Sequence, residues 1–174
     1  HSVVLSTNGM VQAEGDNDYG QCTVKDLKDI VFVAAGPSVL WRWTGAGTSM
    51  CGGLRLPRQV ERWEEIQSVA CGSYHVVGLR KDGQVQFAGG PLAPAVFRSA
   101  APPMAFPVTA VAAATDCALL LHKNSMVTFV GRPGDPRSGA GKWEEIQAVA
   151  VDGQYAVGLT RDGRVLLAES TALC

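Results

Sequence analysis

Histidines, cysteines, paired glutamates and glycine-rich loops are the residues of this 174-residue chain whose types are suited to chemistry. His1, His75 and Cys117 stand at equivalent places of an internal repeat set out below, His75 and Cys117 just after a run of small apolar residues. Imidazole nitrogens and a thiolate would be metal ligands if they met at one point. Equivalent positions on successive repeats do not have to converge, however, and packing at the start of a strand is the simpler role. The five cysteines, Cys22, Cys51, Cys71, Cys117 and Cys174, form no Cys-x-x-Cys pair and no zinc spacing. An odd number, with Cys71 inside an apolar run, reads as buried thiols and favours a reducing, intracellular compartment over secretion with disulfides. A nucleophile would need a presenting turn, and the chain holds no Gly-x-Ser-x-Gly elbow. Gly45-Ala-Gly47 and Gly131-Arg-Pro-Gly134 precede neither a Gly-Lys-Ser/Thr nor a helix, so they are not read as phosphate cradles. Glu64-Glu65 and Glu144-Glu145 resemble acid pairs for proton transfer. Both fall just before the same apolar run, which marks them as solvated connectors. The expectation is a chain without catalytic residues, metal or cofactor, and not an enzyme.

Composition narrows the partner classes. Fifteen Lys and Arg stand against sixteen Asp and Glu, for a net charge of −1, and no basic stripe offers the footprint that nucleic acid requires. No apolar stretch reaches the roughly 18 residues of a membrane span. The longest, from Ala100 to Ala114, is broken by Pro102, Pro103 and Pro107. Apolar residues at 47% suffice for a core, and 20 glycines, about 11% against an average near 7%, point to many turns and an all-β chain.

The elements that must position these residues follow from an internal repeat. Trp63-Glu-Glu-Ile-Gln-Ser-Val-Ala70 and Trp143-Glu-Glu-Ile-Gln-Ala-Val-Ala150 lie 80 residues apart, and the match runs on in register to Val85 and Val165. Weaker copies start at Ser2, Val39 and Ala118. Taking Gly9, Gly47, Gly83, Ser125 and Gly163 as turn positions gives spacings of 38, 36, 42 and 38 residues, the period of a propeller blade. Each copy is an apolar run, a dipeptide such as Asn8-Gly9, Asp82-Gly83 or Asp162-Gly163, and a second alternating run, which predicts a β-hairpin. Between hairpins recur Ile30–Ala35, Ile66–Cys71, Val108–Ala113 and Ile146–Val151, made of β-branched and small residues that suit the crowded hub of a propeller. Outer strands are expected at Gln21 to Val24, Arg58 to Val60 and Ala95 to Arg98. The expected fold is one all-β repeat domain over residues 1–174, a β-propeller of four to five blades of four-stranded antiparallel sheet. Its units run over about 1–36, 37–72, 73–114 and 115–152, with a partial unit at 153–174.

Gly15-Asp-Asn-Asp-Tyr-Gly-Gln-Cys22, Asp26-Leu-Lys-Asp-Ile30 and Val33-Ala-Ala-Gly36 resemble one unit of the regulator-of-chromosome-condensation repeat. The run from Trp63 to Val85 is similar to the bacterial-style version, found also in the propeller-type β-lactamase inhibitory protein. The likeness extends over the whole chain, with departures at Trp41-Arg-Trp-Thr-Gly-Ala46 and His122-Lys-Asn-Ser125. It implies a propeller, usually of seven blades, that binds other proteins through loops on one face. Its best-known member promotes nucleotide exchange on a small GTPase through an insertion that maps to no segment here.

Five hairpins with four preceding inner strands make an arc, not a closed ring, and an arc leaves apolar interblade surface uncovered. It is therefore expected to belong to a larger assembly, with a partner chain that completes the propeller among the options. The loops from inner strand to hairpin, Pro37-Ser38, Ser73-Tyr74, Thr115-Asp116 and Gln154-Tyr155, fall on one face. Tyr74 and Tyr155 either meet partners or pack against neighbouring blades. Trp41 and Trp43, flanking Arg42, share one strand face, in an interblade core or an exposed patch. The Gly90 to Pro107 insertion, with five prolines beside Phe97, Met104 and Phe106, either docks a partner or wraps its own blade. The candidate partner-binding residues are Ser38, Trp41, Arg42, Trp43, Tyr74, His75, Phe97, Asp116 and Tyr155. The expected function is a noncatalytic protein-interaction or scaffold module, the alternative a nucleotide-exchange or regulatory factor for a small GTPase.

Overall fold

A computed structural model describes residues 1–18, 20–36, 39–44, 49–53, 60 and 62–169, with the side chains of 39–44 and 49–53 left aside. The recurring apolar runs form the inner strands of successive sheets, and each is followed by its hairpin. Blade 1 holds β1 (Ser2–Leu5) and β2 (Val11–Glu14). Blade 2 holds β3 (Ile30–Gly36), β4 (Val39–Thr44) and β5 (Ser49–Gly53). Blade 3 holds β6 (Ile66–Cys71), β7 (His75–Arg80) and β8 (Val85–Gly89). Blade 4 holds β9 (Val108–Ala113), β10 (Ala118–His122) and β11 (Val127–Val130). Blade 5 holds β12 (Ile146–Val151), β13 (Tyr155–Thr160) and β14 (Val165–Glu169). All pairings are antiparallel between chain neighbours. The inner strands neighbour one another in sequence order, β3 on β6, β6 on β9 and β9 on β12, so the sheets fan around a hub.

Small residues are needed at that hub. A Cβ on Gly72, at the end of β6, would lie 2.2 Å from the Ala114 carbonyl oxygen of the next blade. The core lies between blades. Val77, Leu79, Val85 and Phe87 of blade 3 pack with Val108, Ala118, Leu120 and Val130 of blade 4, and Leu119, Leu121 and Val127 of blade 4 pack with Ile146 and Ala156 of blade 5. Backbone bonds repeat the same step. The N–H that opens β3, β9 and β12 donates to the hairpin-turn carbonyl of the blade before: Ile30 to Gly9 (3.2 Å), Val108 to Gly83 (2.8 Å) and Ile146 to Ser125 (2.9 Å).

The hairpins form where Asn-Gly and Asp-Gly predict them, in a looser turn. Arg80 and Gln84 close a three-residue loop in which the Gly83 N–H donates to the Arg80 carbonyl, and only Gly83 has positive φ (81°). This is a type I turn followed by a left-handed residue. Asp82 and its equivalents Asn8 and Asn124 instead accept the N–H two residues on with their side chains. Ser125 adopts the glycine conformation in blade 4, at φ 66°.

The outer strands differ from expectation. The described sheets have three strands, or two in blade 1, not four. Ala95–Arg98 is a 3-10 turn that anchors itself through buried Phe97, started by Pro94 at φ −51° and closed by the Phe97 N–H on the Pro94 carbonyl. At Gln21 to Val24 the polar side chains of Asp16 and Asn17 bind Gln21 and the Cys22 N–H, a local alternative to a ladder. Of Arg58 to Val60, only Val60 lies among the described residues, and it is buried. A second 3-10 turn, Pro136–Lys142, covers the outside of blade 4.

Candidate interaction surfaces

The ends of the inner strands bring their following loops to one mouth, as the repeat implies. Gly36, Cys71, Ala114, Thr115, Val151 and Asp152 line a cavity of about 400 Å³ there, with His1 at its border. Tyr74 is exposed on its loop, and Tyr155, which the sequence reading includes in a loop, is exposed as the first residue of β13. Asp116 turns inward to Arg137. The Arg137 guanidinium is buried, bonded to Asp116 at 2.7 Å and to Asp135 at 2.6 Å, and donates to the Asp152 and Gly153 carbonyls at 2.9 and 3.2 Å. The hydrogen bond from Arg137 holds the Asp135 carboxyl below its usual range, and the carboxylates in turn hold the guanidinium proton more firmly. With all its donors satisfied, this cation ties the outer turn of blade 4 to the loop of blade 5 and has none left for a ligand.

His75 and Phe97 sit inside blade 3 and do not form a surface. Both are fully buried, and their rings stack at 3.7 Å, with Phe87 edge-on to Phe97 at 5.3 Å. The insertion thus wraps its own blade at Phe97 while leaving Leu92 and Phe106 exposed. Burial pushes the His75 imidazole down to about 4, and neither ring nitrogen reaches a hydrogen-bond partner. Its repeat equivalent Cys117 is likewise buried, which pushes the thiol up to about 12. No group of three or more His, Cys, Asp or Glu is placed to hold a metal among the described residues. Ser38 and the side chains of Trp41, Arg42 and Trp43 lie outside the described residues, although the strand that carries the last three, β4, pairs with both neighbours.

Two features went unread in the sequence. The first is a partnership within the repeat: a Cβ on Gly78 would lie 2.6 Å from the Trp63 ring, and one on Gly158 2.7 Å from Trp143. The matched Trp and Gly of the two copies, 15 residues apart in each, were the available signal. The second is the free face of blade 5. Val85 and Phe87 are 6% and 5% exposed beneath blade 4, yet their equivalents Val165 and Leu167 are 68% and 52% exposed, with Tyr155 beside them and the equivalents of Val77 and Leu79, Val157 and Leu159, half-buried. The Gly163 carbonyl, equivalent to the Gly83 acceptor, receives no inner-strand N–H among the described residues.

Residues 66–89, the three strands of blade 3, match the family model of the regulator of chromosome condensation (RCC1) repeat. No curated protein matches the chain by sequence. Solved structures match its fold. The entire ectodomain of the Physcomitrella patens receptor kinase CR4 is 18% identical with a TM-score of 0.74, covering 96% of this chain and 48% of its own. The CRINKLY WD40 ectodomain of the Arabidopsis thaliana receptor kinase ACR4 is 15% identical with a TM-score of 0.66, over 94% and 58%. Prp20p of Saccharomyces cerevisiae, whose structure was described with its binding to Gsp1p and histones, is 16% identical with a TM-score of 0.65, over 99% and 54%. The chain therefore spans about half the length of the solved structures it matches.

Proposed function

We propose that this chain, a β-propeller arc built on the RCC1 repeat, is a noncatalytic protein-interaction module whose last blade docks a further blade of the same repeat. The observation that carries this reading is the exposed apolar face of β13 and β14, whose equivalents in blade 3 are buried by the blade that follows. Fully burying a Val or Leu side chain contributes about 1.5–3 kcal/mol, so covering Val165 and Leu167 alone is worth several kcal/mol. The occupant is specified by its neighbours' pattern. It presents small and aliphatic residues where blade 4 presents Ala118 and Leu120, and its inner strand opens with an N–H for the Gly163 carbonyl. A chain that spans about half of its structural relatives is consistent with such a companion. The buried network around Arg137 and the shielded Cys117 offer no nucleophile or proton-transfer pair, which favours binding over chemistry.

The test compares the native chain with the Val165→Lys/Leu167→Glu variant, both changes at exposed sites. Partners recovered by affinity capture are identified by mass spectrometry, and the reading expects repeat-bearing blades among them that the variant fails to recover. Equal recovery by the variant overturns the assignment of this face. Recovery of a small GTPase whose nucleotide exchange the chain accelerates replaces the module with the regulatory reading.

A further inference from the structure

A second surface, apart from the last blade, lies on the outside of blade 3. β8 pairs only with β7, so its other edge is open among the described residues. The bonds that flank this hairpin fall on even-numbered residues: Arg80 N–H donates to the Gln84 carbonyl, and Gly90 N–H to the Tyr74 carbonyl. In an antiparallel pair the alternate residues turn their N–H and C=O groups away from the partner strand, so those of Val85 and Phe87 point to the open edge. The Gly89 end of β8 is packed under Ala93 and Phe97. Along Val85 to Phe87 there is instead a groove of about 520 Å³, within the range of ligand sites. Trp63 and Phe87 supply apolar wall, and Ala100 to Pro103 form a further side. Pro102 and Pro103 carry no N–H, so that half of the wall cannot donate to the strand across from it.

The charge and polar character of the groove select the occupant. Arg80 and Arg98 both line it, and among the described residues no acidic one does. Arg80 spends one guanidinium nitrogen on Asp82 at 3.3 Å. Its Nε is buried without a hydrogen-bond partner, as is Oε1 of Gln86, another lining residue. A buried donor and a buried acceptor left unmade each carry a desolvation cost, so a shift of either side chain toward a ligand that offers the complementary group is favoured. Gln84 is already engaged, accepting the Met104 N–H at 3.1 Å. An unpaired strand edge, an orphaned acceptor, an orphaned cationic donor and a second arginine together match one chemistry: an extended backbone with carboxylate side chains.

We propose that this groove binds an acidic peptide segment, which adds to the open edge of β8 as the fourth strand that the chain's own proline-rich insertion does not supply. Main-chain bonds to Val85 and Phe87 hold the segment, and Arg80 and Arg98 select its carboxylates.

The probe is a fluorescein-labelled peptide with alternating glutamate and valine or threonine, titrated with the full chain and read by fluorescence anisotropy. Saturable binding is expected, weakened about tenfold or more by Arg98→Glu, by exchange of the peptide's glutamates for lysines, and by N-methylation of alternate peptide bonds. Arg98 is exposed and Arg98→Glu is expected to leave the circular dichroism spectrum unchanged; Arg80→Met is the second variant, expected to weaken binding in the same direction. The Val165→Lys/Leu167→Glu chain is expected to bind the probe like the native one, which separates this site from the last blade. Four results overturn the proposal: no saturable binding up to about 1 mM, equal binding by Arg98→Glu, equal binding of the lysine or N-methylated peptide, or loss of binding in the last-blade variant.

Discussion

His75 is a titratable group held where its charged form is not tolerated. Its ring lies flat on Phe97 in the core of blade 3, and burial holds its proton affinity near 4, well below the 6.5 expected in an unfolded chain. Between those values the unfolded chain binds a proton that the folded one refuses. The stability due to this site is therefore complete above about pH 6.5 and falls as the pH drops toward 4. By pH 5 the loss is about 2 kcal/mol. Urea unfolding at pH 7.5 and pH 5 is expected to show it, and His75→Leu is expected to abolish that part of the difference; a variant with the same pH dependence as the native chain would place the effect elsewhere. The position was legible in the sequence as a packing place at the start of a strand, because His1, His75 and Cys117 share it in successive copies. Its ring partner was not. Phe97 comes from the insertion, where no copy of the repeat constrains the path, so the stack is a tertiary outcome without a local signal. The same holds for Arg137, whose acceptors are drawn from three separate loops.

At the scale of elements, the turn glycines separate what a hairpin needs from what its neighbour needs. Gly83 and Gly163 are repeat equivalents with nearly the same conformation, φ 81° and 87°. A Cβ on Gly83 would stand 2.6 Å from the Pro107 side chain, at the entry to the next blade, whereas a Cβ on Gly163 would meet nothing within 4 Å. Gly163→Ala then reports the left-handed conformation alone, about 1 kcal/mol. Gly83→Ala adds the clash with a rigid ring and is expected to cost at least about 2 kcal/mol. Thermal unfolding of the two variants tests this, and equal losses would mean that blade 4 does not press on the turn of blade 3. Asp-Gly between alternating runs was enough to read these hairpins, since turn chemistry is local. It was not enough for the turn type, because Asp82 and Asn124 cap their own turn with side-chain oxygens and leave the left-handed conformation to one residue. Inner strands were legible for a different reason: the hub admits only small side chains, and that demand recurs in every copy. Outer strands carry no such demand, and in blade 3 prolines turned the segment into a 3-10 turn.

For the whole molecule, the deciding quantity is the difference between the two ends of the fan. Blade 1 presents Ser2, Gln12 and Glu14 on its exposed positions, with Val4 among them, whereas blade 5 presents Val165 and Leu167 beside Tyr155, with Glu169 alone as a charge at the end of the strand. Polar groups dilute the first end, and the second reads like the interior of a propeller opened between two blades. A soluble chain rarely leaves such a face bare, because an exposed apolar patch drives association with whatever covers it. The 18.3 kDa chain is thus expected to sediment as a concentration-dependent oligomer in the absence of its companion. Val165→Lys/Leu167→Glu is expected to shift it to monomer while leaving its far-ultraviolet spectrum intact, as both side chains are exposed before the change. The contact between copies is expected to weaken little with salt, because the face is apolar, unlike peptide binding in the arginine groove, which screening would reduce. A native chain that sediments as a single 18.3 kDa species at every concentration would show that this face is stable uncovered, and the docking of a further blade would lose its physical basis.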